Sequence, residues 1–399
     1  MGEIIIKRVK TKQEFEQFIQ LYYNLYKGSK FAVPYLRKDE GYWLDKHDNP
    51  ALHFCEAAYF LAIEDGTVIG RVAAIVNHRY NKVYNKQQVR FGWFDVVDNV
   101  TATKLLLKAV EDFGRERGMT EMIGPMGYTD KDRQGMLVEG FNHLGKQFTN
   151  YNYAYYPQHL KSLHGFVKGP DRLEFRMKIS EETSPQILNI RNLVAHKYHL
   201  KIVKLNKNNL KASATTYARD IYNILEHDYD GFFGYHEISE ERLAKLVTHY
   251  VKKFDMNLLT AVADENDHII SLGVAVPSFS KALQKTNEGR LLPWGWLELF
   301  KSIMRHETDT VEMLVIATAP EYKKKGVETL IVTDLLEWFR KYKFQWAEMS
   351  PVEQGSDIAN FIWSDKNAEV YRIRRLYTKD IRKKDTKYEA TKDTVYLGH

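Results

Sequence analysis

The sequence predicts an α/β protein in which one mixed-sheet fold is repeated, and three observations point there. At 399 residues the chain exceeds a single compact core, since domains run to roughly 100–200 residues. Apolar runs of strand character alternate with stretches of helical periodicity, the order expected of helices packed on a sheet. Finally, Ala62-Ile63-Glu64-Asp65-Gly66-Thr67-Val68-Ile69-Gly70 loosely matches Ala261-Val262-Ala263-Asp264-Glu265-Asn266-Asp267-His268-Ile269-Ile270, and the two segments fall at the same step of the two halves.

In the first half, Ile4–Val9 reads as a strand and Lys12–Tyr26 as a helix, with Phe15, Phe18, Ile19 and Tyr22 on one face. Residues 35–54 are irregular, with Pro34 and Pro50 near their ends. Ala58–Ile63 and Val68–Val76 flank an Asp65-Gly66 turn and read as a hairpin. Phe91–Val97 is the next strand, and Ala102, Leu105, Leu106, Ala109, Val110 and Phe113 stripe a helix that Gly118 ends. Met122–Gly124 and Phe166–Met177 close the unit. The order then recurs: a strand at Ile202–Leu205, amphipathic helices at Tyr217–Leu225 and Leu243–Val251, and a hairpin of Leu258–Ala263 with Ile269–Val276. The expected division is a first domain at 1–180, a linker at 181–200 with Pro185–His199 as the junction, a second domain at 201–380 and a basic tail at 381–399.

The most informative stretch is Val311–Phe339. Val311-Glu312-Met313-Leu314-Val315-Ile316-Ala317 is a nearly continuous apolar run, as a strand covered on both faces requires. Pro320 ends it, and Val327, Leu330, Ile331, Leu335, Trp338 and Phe339 follow helical spacing. Between them lie Lys323, Lys324, Lys325 and Gly326. Cationic side chains then meet the N–H groups of a helix start, where the dipole favours an anion such as a pyrophosphate; a solvated charged turn is the alternative reading. The matching turn of the first half, Val97-Asp98-Asn99-Val100-Thr101, has neither glycine nor lysine. Asp98 would repel a phosphate there, and Asn99 or Thr101 reads as a helix N-cap. The first half is expected to keep the fold without a cofactor.

Ala319-Pro320-Glu321-Tyr322-Lys323-Lys324-Lys325-Gly326-Val327-Glu328-Thr329-Leu330 resembles the acyl-CoA-binding signature of the GNAT N-acetyltransferase superfamily. Two positions depart from it: Lys323 stands where Arg or Gln is usual, and Glu328 where a small residue is usual. Over residues 1 to 380 the chain also resembles a bacterial family of tandem GNAT-like proteins. Gly124–Asp130, Gly135–Phe141 and Tyr151–Pro157 carry this in the first half, and Ser280–Lys285 and Gly289–Trp296 in the second. The resemblance implies two tandem GNAT-like domains, each a mixed twisted sheet flanked by helices. It implies acetyl-CoA or another acyl-CoA as donor in the second domain, with the main chain of Ile316, Ala317 and Thr318 at the acyl carbonyl and pantetheine. Lys323, Lys324, Lys325, Gly326, Val327, Glu328 and Thr329 would surround the pyrophosphate. The tyrosine that usually serves as general acid falls at Trp363 of Ser356–Trp363, and an indole has no phenolic proton to give.

Acyl transfer to an amine also needs a base. Glu312 is the first candidate, placed by period-two alternation on one strand face with Leu314, Ile316 and Thr318; Glu348 is the second, and a structural carboxylate is the alternative for both. Tyr151, Tyr153, Tyr155 and Tyr156, beside Asn150, Asn152 and His159, could line a substrate pocket or pack a core. Trp294, Trp296 and Phe300 could form a flap over the site or cover the domain junction.

The net charge of +6 is a mild bias that suits CoA, acidic substrates or RNA. Lys379–Lys392 reads as a solvated tail rather than an RNA-binding patch. A single cysteine, Cys55, leaves no internal disulfide and is compatible with a reducing cytoplasm. No run approaches the ~18 apolar residues that span a bilayer, and Met1–Lys7 has no leader character, so a soluble, cytoplasmic chain with no membrane partner is expected. His143, His159, His164, His196 and His199 lack metal-ligand spacing, and no metal is expected. Three functions remain: acyl transfer to a small-molecule or peptide amine, a catalytically silent GNAT-like scaffold or ligand sensor favoured by Trp363 and Glu328, and aminoacyl transfer from charged tRNA. RNA is the least expected partner.

Overall fold

Short-range signals set the first half. In the computed structural model, which describes residues 2–45, 49–129, 132–204, 214–228, 255–305, 308–355, 367–382 and 396–397, Thr11 opens the helix Lys12–Leu25 with a capping box. Its hydroxyl accepts from the Glu14 amide, and the Glu14 carboxylate accepts from the Thr11 amide. Asp65 (φ 48) and Gly66 (φ 76) are both left-handed, the two-residue turn whose twist matches the strands it joins, here β2 (Cys55–Glu64) and β3 (Thr67–Asn77). β1 (Ile4–Arg8), β4 (Gln88–Val96) and β5 (Glu121–Gly124) extend the sheet. The helix Val100–Arg115 buries Ala102, Leu106, Val110 and Phe113 on one face of it, and Phe18, Tyr22 and Tyr26 cover the other.

The second half repeats this with β8 (Lys201–Val203), β9 (Leu259–Ala263), β10 (Ile269–Pro277), β11 (Thr310–Thr318) and β12 (Trp346–Met349). The helix Glu328–Lys341 lies so close to β10 that a Cβ at Gly273 would come within 2.2 Å of Ile331. The stretch expected as a junction is itself a helix, Pro185–Lys197, capped by Ser184 and packed against Glu328–Lys341.

The remaining described strands are β6 (Met136–Glu139), β7 (Phe166–Lys178), β13 (Val352–Glu353), β14 (Ala368–Asp380) and β15 (Tyr396–Leu397). Together the strands make one sheet in the order β15-β1-β2-β3-β4-β5-β14-β7-β12-β11-β10-β9-β8, with β6 on β14 and β13 on β7. The two halves thus exchange their long closing strands: β14 of the second sits beside β5 of the first, and β7 of the first beside β12 of the second.

The exchange corrects the reading of Lys379. It is the penultimate residue of β14, only 8% exposed, and its ammonium donates to Glu111 Oε1 (2.7 Å), because a central strand carries its polar side chains into the packing and must pair them there. The predicted helix Leu243–Val251, the Ser356–Trp363 pattern with Trp363, Asp130 and residues 383–395 of the basic tail lie outside the described residues.

Candidate active site

β11 and β12 run parallel but pair only from Thr310–Trp346 to Met313–Met349. Past that point Leu314–Thr318 keeps β10 as neighbour on one edge and, among the described residues, has no strand on the other. The two strands part at Ser350, whose hydroxyl donates to the Met313 carbonyl (3.1 Å), and the chain beyond it pairs with β7 instead. Leu314, Val315 and Ile316 are accordingly half-buried, between fully buried Met313 and Ala317.

A bulge sits at the same place. Pairing with β10 passes from Ala275–Met313 to Val274–Val315, so Leu314 is an extra residue. This corrects the face expected for Glu312. Residues paired across antiparallel strands share a side, and one inserted residue inverts the alternation beyond it. Ile316, opposite Gly273, and Thr318 lie on the side of the helix Glu328–Lys341; Glu312 points to the other side, with Val315 and Ala317.

The turn after β11 has a backbone suited to an anion. Lys324 (φ 60) and Gly326 (φ 78) are left-handed, and such residues within a turn can aim successive amides at one charge. A Cβ at Gly326 would only touch Val194, at 3.4 Å, so it is the conformation that calls for glycine. Val327 occupies the N-cap position with no side-chain cap, and among the described residues the amides of Gly326 and Val327 donate to no protein acceptor. Lys323, Lys324 and Lys325 are exposed around them, with the Lys325 ammonium over the rings of Tyr322 (5.0 Å) and Tyr198 (5.1 Å). Thr329 is turned inward and donates to the Gly326 carbonyl (2.6 Å). One group opposes an anion here. Glu328 Oε1 accepts from Thr318 Oγ1 (3.2 Å), which is also bonded to Ser271 Oγ (2.7 Å), fixing a carboxylate at the strand-to-helix corner.

Glu312 and Glu348 are in register on β11 and β12. Glu312 is buried and accepts from Ser278 Oγ (2.6 Å); burial pushes its carboxyl above the usual range, against the pull of Lys146 and Ser278. Glu348 accepts from the Tyr371 hydroxyl (2.9 Å) and pairs with Lys146 (3.3 Å). The next residue in this row is Arg176 of β7, and Lys146 links Glu348 to Glu174, which is fully buried and paired with Arg372 (3.0 Å), Arg374 and Lys146 (3.5 Å). Burial alone would raise its pKa, but the charges of Arg374, Arg372 and Lys146 outweigh it and hold the carboxyl well below the usual range. Sequence reasoning missed Lys146, Glu174, Tyr371, Arg372 and Arg374; the alternation of Arg372 and Arg374 with Ile373 was the one available sign of a strand with a charged buried face. Beside this network a pocket of about 290 Å³ is lined by Glu139, His143, Arg176, Glu369, Tyr371 and Arg372, among others. His143 stands edge-on to Tyr371 (5.3 Å), its imidazole pKa pushed down by burial and then by Arg176 and Arg372.

The first half has the same strand arrangement. Parallel pairing of β4 with β5 ends at Arg90–Ile123, and a bulge opposite β3 places Trp93 at φ 43. Here, however, protein fills the gap. The Tyr155 hydroxyl donates to the Val96 carbonyl (2.7 Å), the Tyr156 hydroxyl accepts from the Val96 amide (2.9 Å), and the Met126 amide donates to the Phe91 carbonyl (2.8 Å). Tyr151 and Tyr153 likewise donate to main chain, at Phe141 (3.3 Å) and Leu25 (3.2 Å). Asn99 is the N-cap, accepting from the Ala102 amide (3.0 Å), while Asp98 is bonded to His159 (2.9 Å).

Other candidates separate from the site. Trp294, Trp296 and Phe300 are exposed, and the segment before them makes the junction contact, through Gln284 to the Lys30 and Ala32 carbonyls and the Gly289 carbonyl to the Arg37 amide. Burial pushes the Cys55 thiol up to about 12, which removes it as a nucleophile. Among the described residues no group of three or more His, Cys, Asp or Glu is placed to hold a metal, and no helix is long and apolar enough to cross a membrane.

No protein-family model matches the chain. Protein YghO of Escherichia coli (strain K12) is 23% identical over 385 residues, covering 94% of this chain and 95% of that protein. The bacterial ceramide synthase of Caulobacter vibrioides (strain NA1000 / CB15N) is 24% identical over 301 residues, 75% of this chain and 76% of that protein. Among solved structures, the tandem GNAT protein from the clavulanic acid biosynthesis pathway superposes with a TM-score of 0.52 at 9% identity, over 96% of this chain and 100% of that one. The GCN5-related glucosamine N-acetyltransferase region of a fungal multi-domain GH3 β-N-acetylglucosaminidase gives 0.53 at 14% identity, over 95% of this chain and 38% of that one.

Proposed function

We propose that this chain, whose fold is that of the tandem GNAT proteins, transfers an acyl group from acyl-CoA to an amine, with the donor held in the second half. The observation that carries the reading is a strand edge at Leu314–Thr318 that is unpaired among the described residues and leads to the amides of Gly326 and Val327, which have no acceptor among them. An extended pantetheine can pair with such an edge, and a pyrophosphate suits an uncapped helix N-terminus ringed by lysines. In the transfer, the amine nitrogen bonds to the thioester carbonyl carbon, the C–S bond breaks, and the amine proton leaves to a base while the thiolate is protonated. Glu312 is the base assigned here, with Glu348 beside it bonded to Tyr371. A ceramide is an amide, so the product named for the Caulobacter relative is of the kind this reaction yields.

Calorimetry with acetyl-CoA and a long-chain acyl-CoA, followed by thiol release over a panel of amines, tests the reading. Binding heat is expected, and Glu312→Gln should keep it while lowering thiol release by about 10²–10⁴-fold. Because burial raises the Glu312 pKa, release should fall with acidification through a value above the ordinary carboxylate range. Folded protein that gives no heat at millimolar donor would sink the proposal. The Glu328 carboxylate at the corner favours a second reading, a silent ligand-binding protein; donor binding without acylation of any amine would select it.

A further inference from the structure

Two carboxylates meet where β11 and β12 still pair. Glu312 and Glu348 are partners in that register, so their Cα atoms lie about 4.8 Å apart and their side chains share a face of the sheet. Two negative charges so placed repel, and a proton goes to the group with the weaker partners. Glu348 receives the Tyr371 hydroxyl (2.9 Å) and pairs with the Lys146 ammonium (3.3 Å). Glu312 receives the neutral Ser278 hydroxyl (2.6 Å) and, among the described residues, has no cation within ion-pair distance. The charged groups acting on it from the surrounding elements are Lys146, Glu348 and Arg372. Burial raises its pKa, Lys146 and Ser278 pull against that, Glu348 adds to the rise and Arg372 opposes it.

Lys146 belongs to the first half, between β6 and the helix Tyr155–Ser162, and is only 4% exposed. Its ammonium meets the Met349 carbonyl (3.0 Å), Glu348 (3.3 Å) and Glu174 (3.5 Å), as many partners as it has protons to donate. The loop bearing it is held in place. The Arg372 guanidinium donates to the Leu144 carbonyl, the Gly145 amide donates to the Phe31 carbonyl (2.6 Å), and a Cβ at Gly140 (φ 84) would come within 2.2 Å of the Tyr371 carbonyl. Glu174 does not depend on this lysine, since it also has Arg372 (3.0 Å) and Arg374. Glu348 does depend on it, having no other ion pair among the described residues.

We propose that Lys146, contributed by the first half, is a positioning residue of the second half's site: it balances the charge of Glu348 so that Glu312 serves as the proton carrier of the pair. The part this plays in transfer rests on the acyl-transfer reading; the placement of the proton does not. Glu312 must be ionised before it takes the amine proton, and the Lys146 charge favours that state. As the amine N–H bond breaks, an O–H bond forms at Glu312, while Glu348 and Lys146 exchange no proton.

Infrared difference spectra between the full chain and Glu312→Gln isolate the protonated Glu312 carboxyl, and following that signal with pH needs no turnover. Lys146→Gln should move the Glu312 titration to higher pH and Glu348→Gln to lower pH, because one removes an opposite charge and the other a like charge. Lys146→Arg, which keeps the cation, should stay close to the wild type. Where thiol is released, the acid limb of its pH profile should shift in the same two directions. Opposite shifts in a protein that releases no thiol would support the role of Lys146 and count against transfer alone. A titration unmoved by Lys146→Gln, moved as far by Lys146→Arg, or moved the same way by Lys146→Gln and Glu348→Gln would overturn the proposal whether or not thiol is released. Circular dichroism first establishes that each variant is folded. If Lys146→Gln is not, an upward or absent shift in Glu348→Gln, which leaves Lys146 its contacts with Glu174 and Met349, still overturns it.

Discussion

The two halves carry one backbone device and treat it oppositely. In each, a central strand loses its parallel partner after three or four residue pairs and bulges where it does so. In the first half the exposed strand edge is answered from within: Tyr155 and Tyr156 take both main-chain groups of Val96, and Asn99 caps the following helix. In the second half, among the described residues, no strand pairs with the edge at Leu314–Thr318 and no acceptor meets the amides of Gly326 and Val327. Backbone donors near a protein's interior are almost always satisfied, so what distinguishes the halves is the presence or absence of internal partners, and the fold is common to both. A donor site of the type proposed above can be silenced by a few side chains without disturbing the sheet.

The largest expected effect falls on what the halves share. Glu174 of β7 is paired with Arg372 and Arg374 of β14, across the strand exchange. Glu174→Ala leaves those guanidinium groups buried with one carboxylate fewer, which should cost about 3–5 kcal/mol and lower the unfolding midpoint. If the exchange makes the halves one unit, hydrogen-exchange protection should drop together in β4–β5 and β11–β12; loss in one half alone would break that view. The sign of the pH dependence follows from the depressed carboxyl. The stabilisation is present above the unfolded pKa of about 4.3 and is lost as pH falls toward the folded value, so the wild type should lose stability on acidification more steeply than the variant.

Glu174 also marks where the sequence stopped being legible. The hairpin was readable from Asp65-Gly66, the helix Val100–Arg115 from its apolar stripe and Asn99, and the turn at Gly326 from lysines and a glycine after an apolar strand, because each of those signals is local. β14 was not, since Arg372, Arg374 and Lys379 look like solvent-facing residues until Glu174 and Glu111, some 200 or more positions away, are brought beside them. The bulge at Leu314 left no mark on an unbroken apolar run, so simple alternation put Glu312 on the wrong face. The tyrosines at 151–156 were visible as a cluster, but that their hydroxyls are spent on main chain is a fact of packing.

A smaller effect tests how the first cleft is closed. Tyr156→Phe removes the acceptor for the buried Val96 amide and the contact with the Tyr26 hydroxyl (3.1 Å). An unsatisfied buried donor costs about 1–3 kcal/mol, read as a lower denaturant midpoint. The opened edge should still fail to take acyl-CoA, because Asn99 continues to cap the helix and Asp98 remains beside it. Donor binding with two sites per chain in this variant would show that the tyrosines alone distinguish the halves.

The smallest effect is the most specific to the second half. Glu328 lies at the corner where a donor phosphate would arrive, held by Thr318. Two consequences of Glu328→Gln oppose each other. The first helical turn loses a favourable dipole partner, worth about 0.3–1 kcal/mol of stability, while the incoming phosphate loses a like charge that, at this exposed corner, is of similar size at physiological salt. The variant should therefore unfold slightly earlier and bind acyl-CoA a few-fold more tightly, with the gain shrinking as ionic strength rises. The matching change in the first half, Asn99→Ala, should cost about 1 kcal/mol through the lost cap and leave donor affinity untouched. Calorimetry on the two variants at low and high salt separates a corner that resists its own ligand from one that never meets a phosphate: equal affinity for Glu328→Gln and wild type at every salt concentration would place the donor's phosphates away from Gly326.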